Sequence, residues 1–543
     1  MLRPDEIEAL RDRAESVTDR LTEFLLRDIT RRIVTAAGMT STAAYQIFLA
    51  ELLGTGLKTV RKELQKRTGH SSRAVRKLLK QAAAASYRDD IRRLSAGMPF
   101  EENETVQQII GAEAKMAEAS FRNLTGTLGF VNPGGKVSKL TDAYRECCDF
   151  AFQQTAFGVA DMNTAVRQAT KNLADKGVRV IDYESGVHTS VEAAVRRNVM
   201  GGLGQMQEQI SQQNHDDMGA NGWEISAHGA SAPDHEPIQG RQYTDDAYQK
   251  LNASLVRRIG TLNCGHTAFP IVLGVSQPQY TDAQLEQMRQ DNATGVTVNG
   301  RHYTTYEATQ QQRAMERTMR RQKRRIVVDE AADDQDKLLV DQIRLGQQNA
   351  QYRRFSRAAG LRTQEERENV AEFTTKQGTA ADKQYKTVAK VANSMYNIGS
   401  EEQNVAAYMR DLPLRKRIQS GEFPLDIHKG RQNKHVVGTQ EYEQYVKQLQ
   451  KNGKHGPSRI TISTEEMQDL IETYKGTGIL QRDKHGQWRN SELITIHSDK
   501  IGIAVNDRTG AEADTSVFCI HYSKDGVHIS PDYPSKKGAK CKK

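Results

Sequence analysis

Residues 223–276 read WEISAHGASAPDHEPIQGRQYTDDAYQKLNASLVRRIGTLNCGHTAFPIVLGVS, and this stretch differs in composition from both of its flanks. It contains three of the chain's 12 prolines, whereas no proline lies between Pro278 and Pro413. The flanks are rich in Gln, Arg and Glu, which are good helix formers. The pattern predicts a small irregular folded unit between long helical segments.

Inside this stretch, four side chains of the kinds that bind zinc fall within a span of about forty residues, namely His228, His235, Cys264 and His266. Two histidines and a Cys-x-His pair are a ligand set that tetrahedral zinc accepts, although one intervening residue is tighter than the usual spacing of about two to four. A second interpretation is a loop braced by histidines bonded to the backbone, with Cys264 as a small buried side chain. A third interpretation makes Cys264 a nucleophile and His235 its base, oriented by Asp234.

Five short motifs follow one another in the same stretch: Ser226-Ala227-His228, Pro233-Asp234-His235, Gln239-Gly240-Arg241, Leu262-Asn263-Cys264-x-His266 and Pro270-Ile271-x-Leu273-Gly274-Val275-Ser276. Their order resembles tailed-phage minor capsid proteins of the minor capsid protein 2 type, which are related to the Mu F head protein group. The resemblance implies a virion protein of the capsid interior or portal vertex. Its partners would be the portal protein, capsid proteins and packaged DNA. It would pass through the host cytoplasm during assembly and after delivery.

The composition is typical of a protein that functions close to an anionic polymer, because 77 Lys and Arg outnumber 68 Asp and Glu and give a net charge of +9. Only 37% of residues are hydrophobic and 6% aromatic, which favours helices and small cores over one large globule. Five cysteines, an odd number, do not form a disulfide framework and favour a reducing compartment. The sequence has no apolar run of membrane-spanning length, and its start lacks the hydrophobic core of a signal peptide.

Residues 1–95 are predicted to form a helical docking module, because apolar residues recur at helical spacing from Ile7 to Phe24 and again after Thr40. The second helix is basic. Its charged residues are either a DNA-contacting surface or a solvated helix face: Lys58, Arg61, Lys62, Lys66 and Arg67.

Residues 96–285 are predicted to be one extended region that contains the His/Cys motif, and residues 286–405 to be a hairpin followed by a helical arm. The hairpin has an Asn299-Gly300 turn, and Thr304 with Glu307 makes a capping box that opens one long helix. The head of this helix carries a basic patch, for which a solvated face and contact with DNA or an acidic neighbour both remain open: Arg313, Arg317, Arg320, Arg321, Lys323, Arg324 and Arg325.

Residues 406–543 are predicted to be a separate α+β domain. Seven of the chain's 14 histidines follow residue 420, and strand-like patterns at 458–463, 493–497, 500–506 and 516–522 surround a helix at 465–474. The whole chain is therefore predicted to be mainly α and multidomain, with extended helical arms around a small irregular unit of capsid type, followed by this α+β domain.

Three segments of this domain are HKGRQNKHVVGT at 428–439, YKGTG at 474–478 and IHYSKDGVHISPDYP at 520–534. They resemble the polymorphic toxin type 50 domain, which is grouped with nucleases of the barnase, EndoU, colicin and RelE fold. The resemblance covers most of residues 420–534. It implies metal-independent cleavage of RNA, without a cofactor, and an immunity protein as a partner.

The residue types of the domain suit this chemistry independently of the resemblance. Cleavage of RNA through its own 2′-hydroxyl needs a base, an acid and cations that stabilise the phosphorane. The candidate catalytic residues are His435, His528, Lys434, Lys524, Tyr522 and Arg459. One histidine would take the 2′ proton and the other would protonate the leaving 5′ oxygen, and the sequence leaves open which does which. The alternative is a basic domain that binds nucleic acid without cleaving it.

Overall fold

The computed structural model describes residues 6, 9–10, 12–14, 18–94, 98–181, 188–260, 265–371, 373–396, 399–496, 500–533 and 539–541. It divides into two compact units, Met1–Ala381 and Asp382–Lys543. About 60% of the structure is helical, which confirms the mainly α prediction. The finer division at residues 95, 285 and 405 stays a prediction.

Helices dominate the first unit, and most of them begin at a polar cap. Ser41, Asn103, Asp161 and Ser190 each accept a hydrogen bond from the backbone N–H three residues later. Such caps satisfy a donor that the helix leaves unpaired. The helices that begin in this unit are α1 Asp19–Ala37, α2 Thr42–Glu51, α3 Leu57–Leu94, α4 Glu104–Thr127, α5 Leu140–Ala156, α6 Met162–Lys176, α7 Val191–Asp217, α8 Asp245–Ser254, α9 Asp282–Thr294, α10 Thr305–Ala331, α11 Gln335–Ala358, α12 Glu365–Glu368 and α13 Thr375–Met395, with a π-helical turn at Leu52–Gly56.

One hydrophobic core joins helices from both sides of residue 95. Leu25 of α1, Leu64 of α3, Ile110 of α4, Tyr144 of α5 and Val199 of α7 all belong to it and are buried. Full burial of a side chain such as Leu or Val contributes about 1.5–3 kcal/mol. The predicted docking module 1–95 therefore shares its core with the region that follows it.

Three small antiparallel sheets lie between these helices. Their strands are β1 Leu128–Val131, β2 Val137–Lys139, β3 Arg179–Ile181, β4 His188–Ser190, β5 Gly222–Ile225, β6 Gln242–Thr244, β7 Ala268–Ile271, β8 Val296–Val298 and β9 Arg301–Tyr303. The orders are β2-β1-β3-β4, β6-β5-β7 and β8-β9. Asn299 and Gly300 have φ of 52° and 78°, as a type I′ turn requires, which confirms the predicted hairpin.

The long helix predicted after Thr304 is in fact two antiparallel helices, α10 and α11. Thr304 and Glu307 form the predicted capping box. The first helix ends at Ala331, Asp333 adopts a φ of 54°, and Asp334 caps the second helix. The prediction was wrong because it considered only proline as a helix breaker, whereas an Asp-Asp pair can supply both a left-handed residue and an N-cap.

The second unit has the predicted α+β composition. Its elements after α13 are α14 Glu401–Gln419, α15 Lys429–Gln432, α16 Gln440–Lys451, α17 Thr464–Tyr474, β10 Arg459–Ile460, β11 Ile479–Arg482, β12 Trp488–Ile496, β13 Gly502–Val505, β14 Glu512–Thr515, β15 Val517–Ser523, β16 Gly526–Pro531 and β17 Ala539–Cys541, with a 3-10 turn at Asn433–His435. One sheet has the order β11-β12-β15-β16 with β17 beside β12, and a smaller one has the order β10-β13-β14.

Side-chain alternation along β15 separates the two faces of the larger sheet. Phe518, Ile520 and Tyr522 point into the core that also contains Ile471 of α17. Because successive residues of a strand point to opposite faces, His521 lies on the other side of the sheet.

Candidate active site

The hairpin formed by β15 and β16 places two histidines side by side. His521 is paired with His528 in the strand register, and Lys524 and Asp525 form the hairpin tip. Residues directly opposite in an antiparallel pair share a face. The two imidazole rings accordingly stack, with 4.6 Å between their centroids.

The segment 426–432 lies along the free edge of β16. Val527 N donates to Asp426 O at 3.0 Å, and His428 N donates to Val527 O at 2.8 Å. Further along, the Gln432 side chain donates to Ile529 O at 3.0 Å and accepts from Ile529 N at 2.8 Å. These contacts bring the residues that follow Gln432 close to His528.

His435, far from His528 in sequence, is thereby brought to it in space. Their rings are nearly parallel, with centroids 6.1 Å apart and 12° between the planes. His435 Nδ1 donates to Ser458 O at 2.8 Å, so the neutral ring carries its lone pair on Nε2. His528 Nδ1 is buried and has no hydrogen-bond partner within the described part of the chain.

The surroundings of the three histidines disfavour their protonated forms. Burial, followed by His521, His435, Arg431 and Lys434, lowers the pKa of His528 to about 3. Burial and the nearby His435 lower the pKa of His521 to about 4, against an opposing effect of Asp532. Burial and Lys434 also lower the pKa of His435. The free site therefore holds neutral imidazoles at pH 7 beside the side chains of Arg431 and Lys434.

The three cationic residues predicted for the site differ in position and in partners. Lys434 is exposed directly beside His435, with its Nζ 5.6 Å from the centre of the Tyr445 ring. Lys524 is exposed at the hairpin tip. Arg459 follows Ser458, the residue that orients His435, but its guanidinium pairs with Glu512, at 2.7 Å for the Nη1 to Oε1 contact.

Tyr522 does not join the histidines. It is buried in the core on the opposite face of the sheet, and its hydroxyl donates to Glu492. The same carboxylate accepts from Gly476 N and Gly478 N, both at 2.8 Å. The structure therefore places the predicted catalytic Tyr522 in a structural network, and it is not part of the site proposed below.

Two residues of the cluster were absent from the sequence prediction, namely His521 and Arg431. The signal for His521 was available, because IHYSKDGVHIS reads as two alternating strands around a short turn and such a hairpin sets His521 opposite His528. Nothing local to Arg431 indicated its position, because that depends on the docking of segment 426–432 against β16.

The His/Cys motif of the first unit also brings histidines together. His235 Nδ1 lies 3.3 Å from His266 Nδ1, and the His228 and His266 rings stack with centroids 4.2 Å apart. Cys264 lies outside the described residues. Burial, together with His228 and His235, lowers the pKa of His266 to about 2.

Each of these histidines also uses one ring nitrogen in a hydrogen bond to an oxygen. The acceptors are Gly229 O for His228, Arg257 O for His235 and the Gln239 side chain for His266, at 2.8, 2.8 and 2.9 Å. Such bonds occur in a braced loop and also behind zinc-bound histidines. Among the described residues, no group of three or more His, Cys, Asp or Glu side chains is arranged to hold a metal ion. Structural zinc stays a prediction that metal analysis of the purified protein will decide.

The Cys264 nucleophile interpretation also stays untested. Its predicted orienting residue, Asp234, pairs with Arg257, at 3.2 Å between Arg257 Nε and Asp234 Oδ2. His235 Nε2 donates to the Arg257 carbonyl at 2.8 Å and lies 3.8 Å from Asp234 Oδ2.

The basic patch predicted at the head of α10 is partly internal. Lys323 pairs with Glu368, Arg325 with Asp175, and Arg324 with both Glu192 and Glu23, all within the first unit. These three cations therefore hold helices together and are not available as a surface for DNA.

Comparison with known proteins adds two matches. Residues 2–357 match the family described as Phage minor capsid protein 2, and residues 427–531 match the one described as Bacterial toxin 50. No curated protein and no solved structure matches the chain. Within the described residues, no helix has both the length and the apolar character needed to cross a membrane. Because the first match covers more than half of the 543 residues, the chain belongs to the Phage minor capsid protein 2 family, and it carries a Bacterial toxin 50 domain near its C-terminus.

Proposed function

We propose that the second unit is a ribonuclease toxin carried by a phage minor capsid protein. The observation that carries this proposal is that His435 and His528 lie close together, with 6.1 Å between their ring centroids, and that Lys434 directly precedes His435. Two imidazoles and a cation are the groups that cleavage through the 2′-hydroxyl needs. The α+β architecture also supports placing the unit with the barnase, EndoU, colicin and RelE nucleases.

In the proposed reaction, His435 Nε2 accepts the proton of the RNA 2′-hydroxyl. The 2′ oxygen attacks the adjacent phosphorus, the bond to the 5′ oxygen breaks, and protonated His528 donates a proton to that leaving oxygen. The products are a 2′,3′-cyclic phosphate and a free 5′-hydroxyl. Lys434 and Arg431 stabilise the charge of the phosphorane, and Lys524 contacts RNA from the hairpin tip.

Membership of a capsid family supports a place for the toxin in the virion. In this proposal the first unit contacts portal and capsid proteins, and the toxin enters the host cytoplasm with the genome. An immunity protein then protects the cell that produces the particles.

The test is cleavage of RNA and DNA oligonucleotides by the full-length protein, with and without EDTA. We expect RNA cleavage that persists in EDTA and falls by about 10² to 10⁴ in His435→Ala and in His528→Ala. His485→Ala is the matched control, because His485 is an exposed histidine of the same unit in the turn between β11 and β12. Unchanged activity in both site variants, or none in the wild type, would leave a domain that binds nucleic acid without cleaving it.

A further inference from the structure

One face of α3 carries a row of basic side chains and no acidic one. The members recur at intervals of three or four residues and are all exposed: Lys58, Lys62, Lys66, His70, Arg73, Lys77 and Lys80. At about 100° per residue they occupy roughly 120° of the helix circumference, and at about 1.5 Å per residue they extend for about 33 Å. Below, these seven residues are called the α3 basic face.

The α3 basic face lies opposite the side of the helix that enters the protein core. Leu57, Leu64, Val75 and Leu79 are each at most 1% exposed and project from the other half of the helix. Between Leu57 and Tyr87 the sequence has a single acidic residue, Glu63.

The other predicted basic residues of this helix are engaged elsewhere. Arg67 Nε donates to Glu63 at 2.8 Å, and Arg61 Nη2 donates to Thr141 at 2.9 Å. In contrast, no hydrogen bond or ion pair within the described part of the chain involves the five lysines of the α3 basic face. The five lysines therefore stay in solvent, whereas Arg73, the arginine of this face, donates to its neighbour His70 at 2.9 Å.

We propose that the α3 basic face binds the phosphate backbone of duplex DNA without reading its sequence. A straight row of cations about 33 Å long matches roughly one turn of a DNA duplex, which is about 34–36 Å. A row of one sign is complementary to the regular phosphates, and each neutralised phosphate releases counterions. The proposal concerns the first unit and does not depend on the nuclease proposal.

Two features of the α3 basic face favour duplex DNA over other acidic partners. Lysine is depleted at protein–protein interfaces, which are anchored by aromatic residues and arginine. Single-stranded nucleic acid is bound by aromatic side chains on which bases stack. Five of the seven residues of the α3 basic face are lysines, Arg73 is its one arginine, and the face has no Trp, Tyr or Phe, since the aromatic residue of this helix, Tyr87, is 1% exposed.

The experiment measures binding of the full-length protein to a duplex of about 20 base pairs over a range of salt concentrations. All proteins carry His435→Ala and His528→Ala, so that an RNA probe is not degraded. The test variant changes the five lysines to Gln, a good helix former, at 58, 62, 66, 77 and 80. We expect the slope of log K against log salt to fall in magnitude by about four, and affinity near 0.1 M salt to fall on the order of 10²- to 10³-fold.

A matched control loses the same net charge at five exposed lysines of the first unit outside α3: Lys115, Lys136, Lys176, Lys250 and Lys376. The control should keep the slope within about one, and an α3 variant with Arg at the five positions should keep binding. If the Gln variant does not fold, the test is chemical acetylation of lysines in the protein that carries only His435→Ala and His528→Ala, with and without duplex DNA. The duplex should protect the five lysines of the α3 basic face from acetylation and should not protect the control set. Equal losses in the test and control variants, equal protection of both sets, or a loss of binding to single-stranded RNA or polyglutamate in the Gln variant as large as its loss of duplex binding would overturn the proposal.

Discussion

His528 has a buried Nδ1 with no hydrogen-bond partner in the described part of the chain, and His435 has a tautomer that the Ser458 carbonyl determines. These two facts give the histidines different roles. His435 is held with its lone pair on Nε2, which suits a base. His528 has a nitrogen that can take up a proton when the phosphate arrives, which suits an acid.

The lowered pKa values predict the pH dependence of cleavage. The pKa of His528 is lowered to about 3 by burial, by His521 and His435, and by Arg431 and Lys434, so only a small fraction is protonated at pH 7. That fraction rises about tenfold for each pH unit of acidification above the pKa. We expect kcat/KM for RNA to increase as the pH falls from 8 toward 5, with an optimum on the acid side of 6.5, the ordinary pKa of histidine.

The control for this prediction is Lys434→Gln. Lys434 lowers the pKa of both His435 and His528. Its removal should therefore raise both pKa values and move the optimum toward neutral pH, although the rate falls. An optimum near pH 7.5 that does not move in this variant would contradict the assignment.

Tyr522→Phe separates a structural role from a catalytic one. Removal of the hydroxyl leaves the buried Glu492 with one donor fewer, and we expect the free energy of unfolding of the second unit to fall by about 1–3 kcal/mol. Cleavage of RNA by the folded protein should stay within about threefold of the wild type. The chain has two tryptophans, so Trp488 fluorescence in a Trp223→Phe background reports urea unfolding of the second unit alone. A loss of activity without a loss of stability would contradict the structural role and indicate that Tyr522 takes part in catalysis.

The charge of helix α10 did not by itself indicate where its side chains lie. The basic residues at its start suggested an exposed surface, yet Arg324 pairs with Glu192 of α7 and Glu23 of α1, and the two carboxylates are almost fully buried. Since a charge is costly to bury without a partner, the helices that provide these acids need the arginine between them.

We therefore predict that Arg324→Met destabilises the first unit by about 3–5 kcal/mol, because two buried carboxylates lose the cation between them. The measurement is urea unfolding followed by Trp223 fluorescence in a Trp488→Phe background. Arg321→Met removes an exposed arginine of the same helix and should change the free energy of unfolding by less than about 0.5 kcal/mol. Equal effects of the two substitutions would show that the ion pairs do not hold α10 in place.

The whole molecule combines a capsid family with a toxin domain in one chain. We predict that peptides from both units are found in purified phage particles at equal abundance, because the toxin is then a covalent part of a head protein. Mass spectrometry of particles purified by density measures this, with the soluble fraction of the same lysate as the control. Absence of the protein from particles would contradict the virion role, and peptides from the first unit alone would indicate that the toxin is removed during assembly.

The sequence by itself determined the features that depend on a few neighbouring residues. The capping box of Thr304 and Glu307, the Asn299-Gly300 hairpin, the α17 helix and the two family resemblances could all be read directly, because caps, turns and motifs are local interactions. The mainly α class and the α+β end of the chain followed from helical and strand periodicity.

Only the tertiary structure decided which distant side chains meet. His435 reaches His528 because segment 426–432 docks on the edge of β16, and His521 joins them because the β15–β16 register sets it opposite His528. A shift of one residue in that register would have turned the histidines into the core and Tyr522 out of it. Likewise, charge alone did not distinguish Arg324 from the lysines of α3. The difference arises from which side of each helix faces the core, and that is set by the packing of the whole unit.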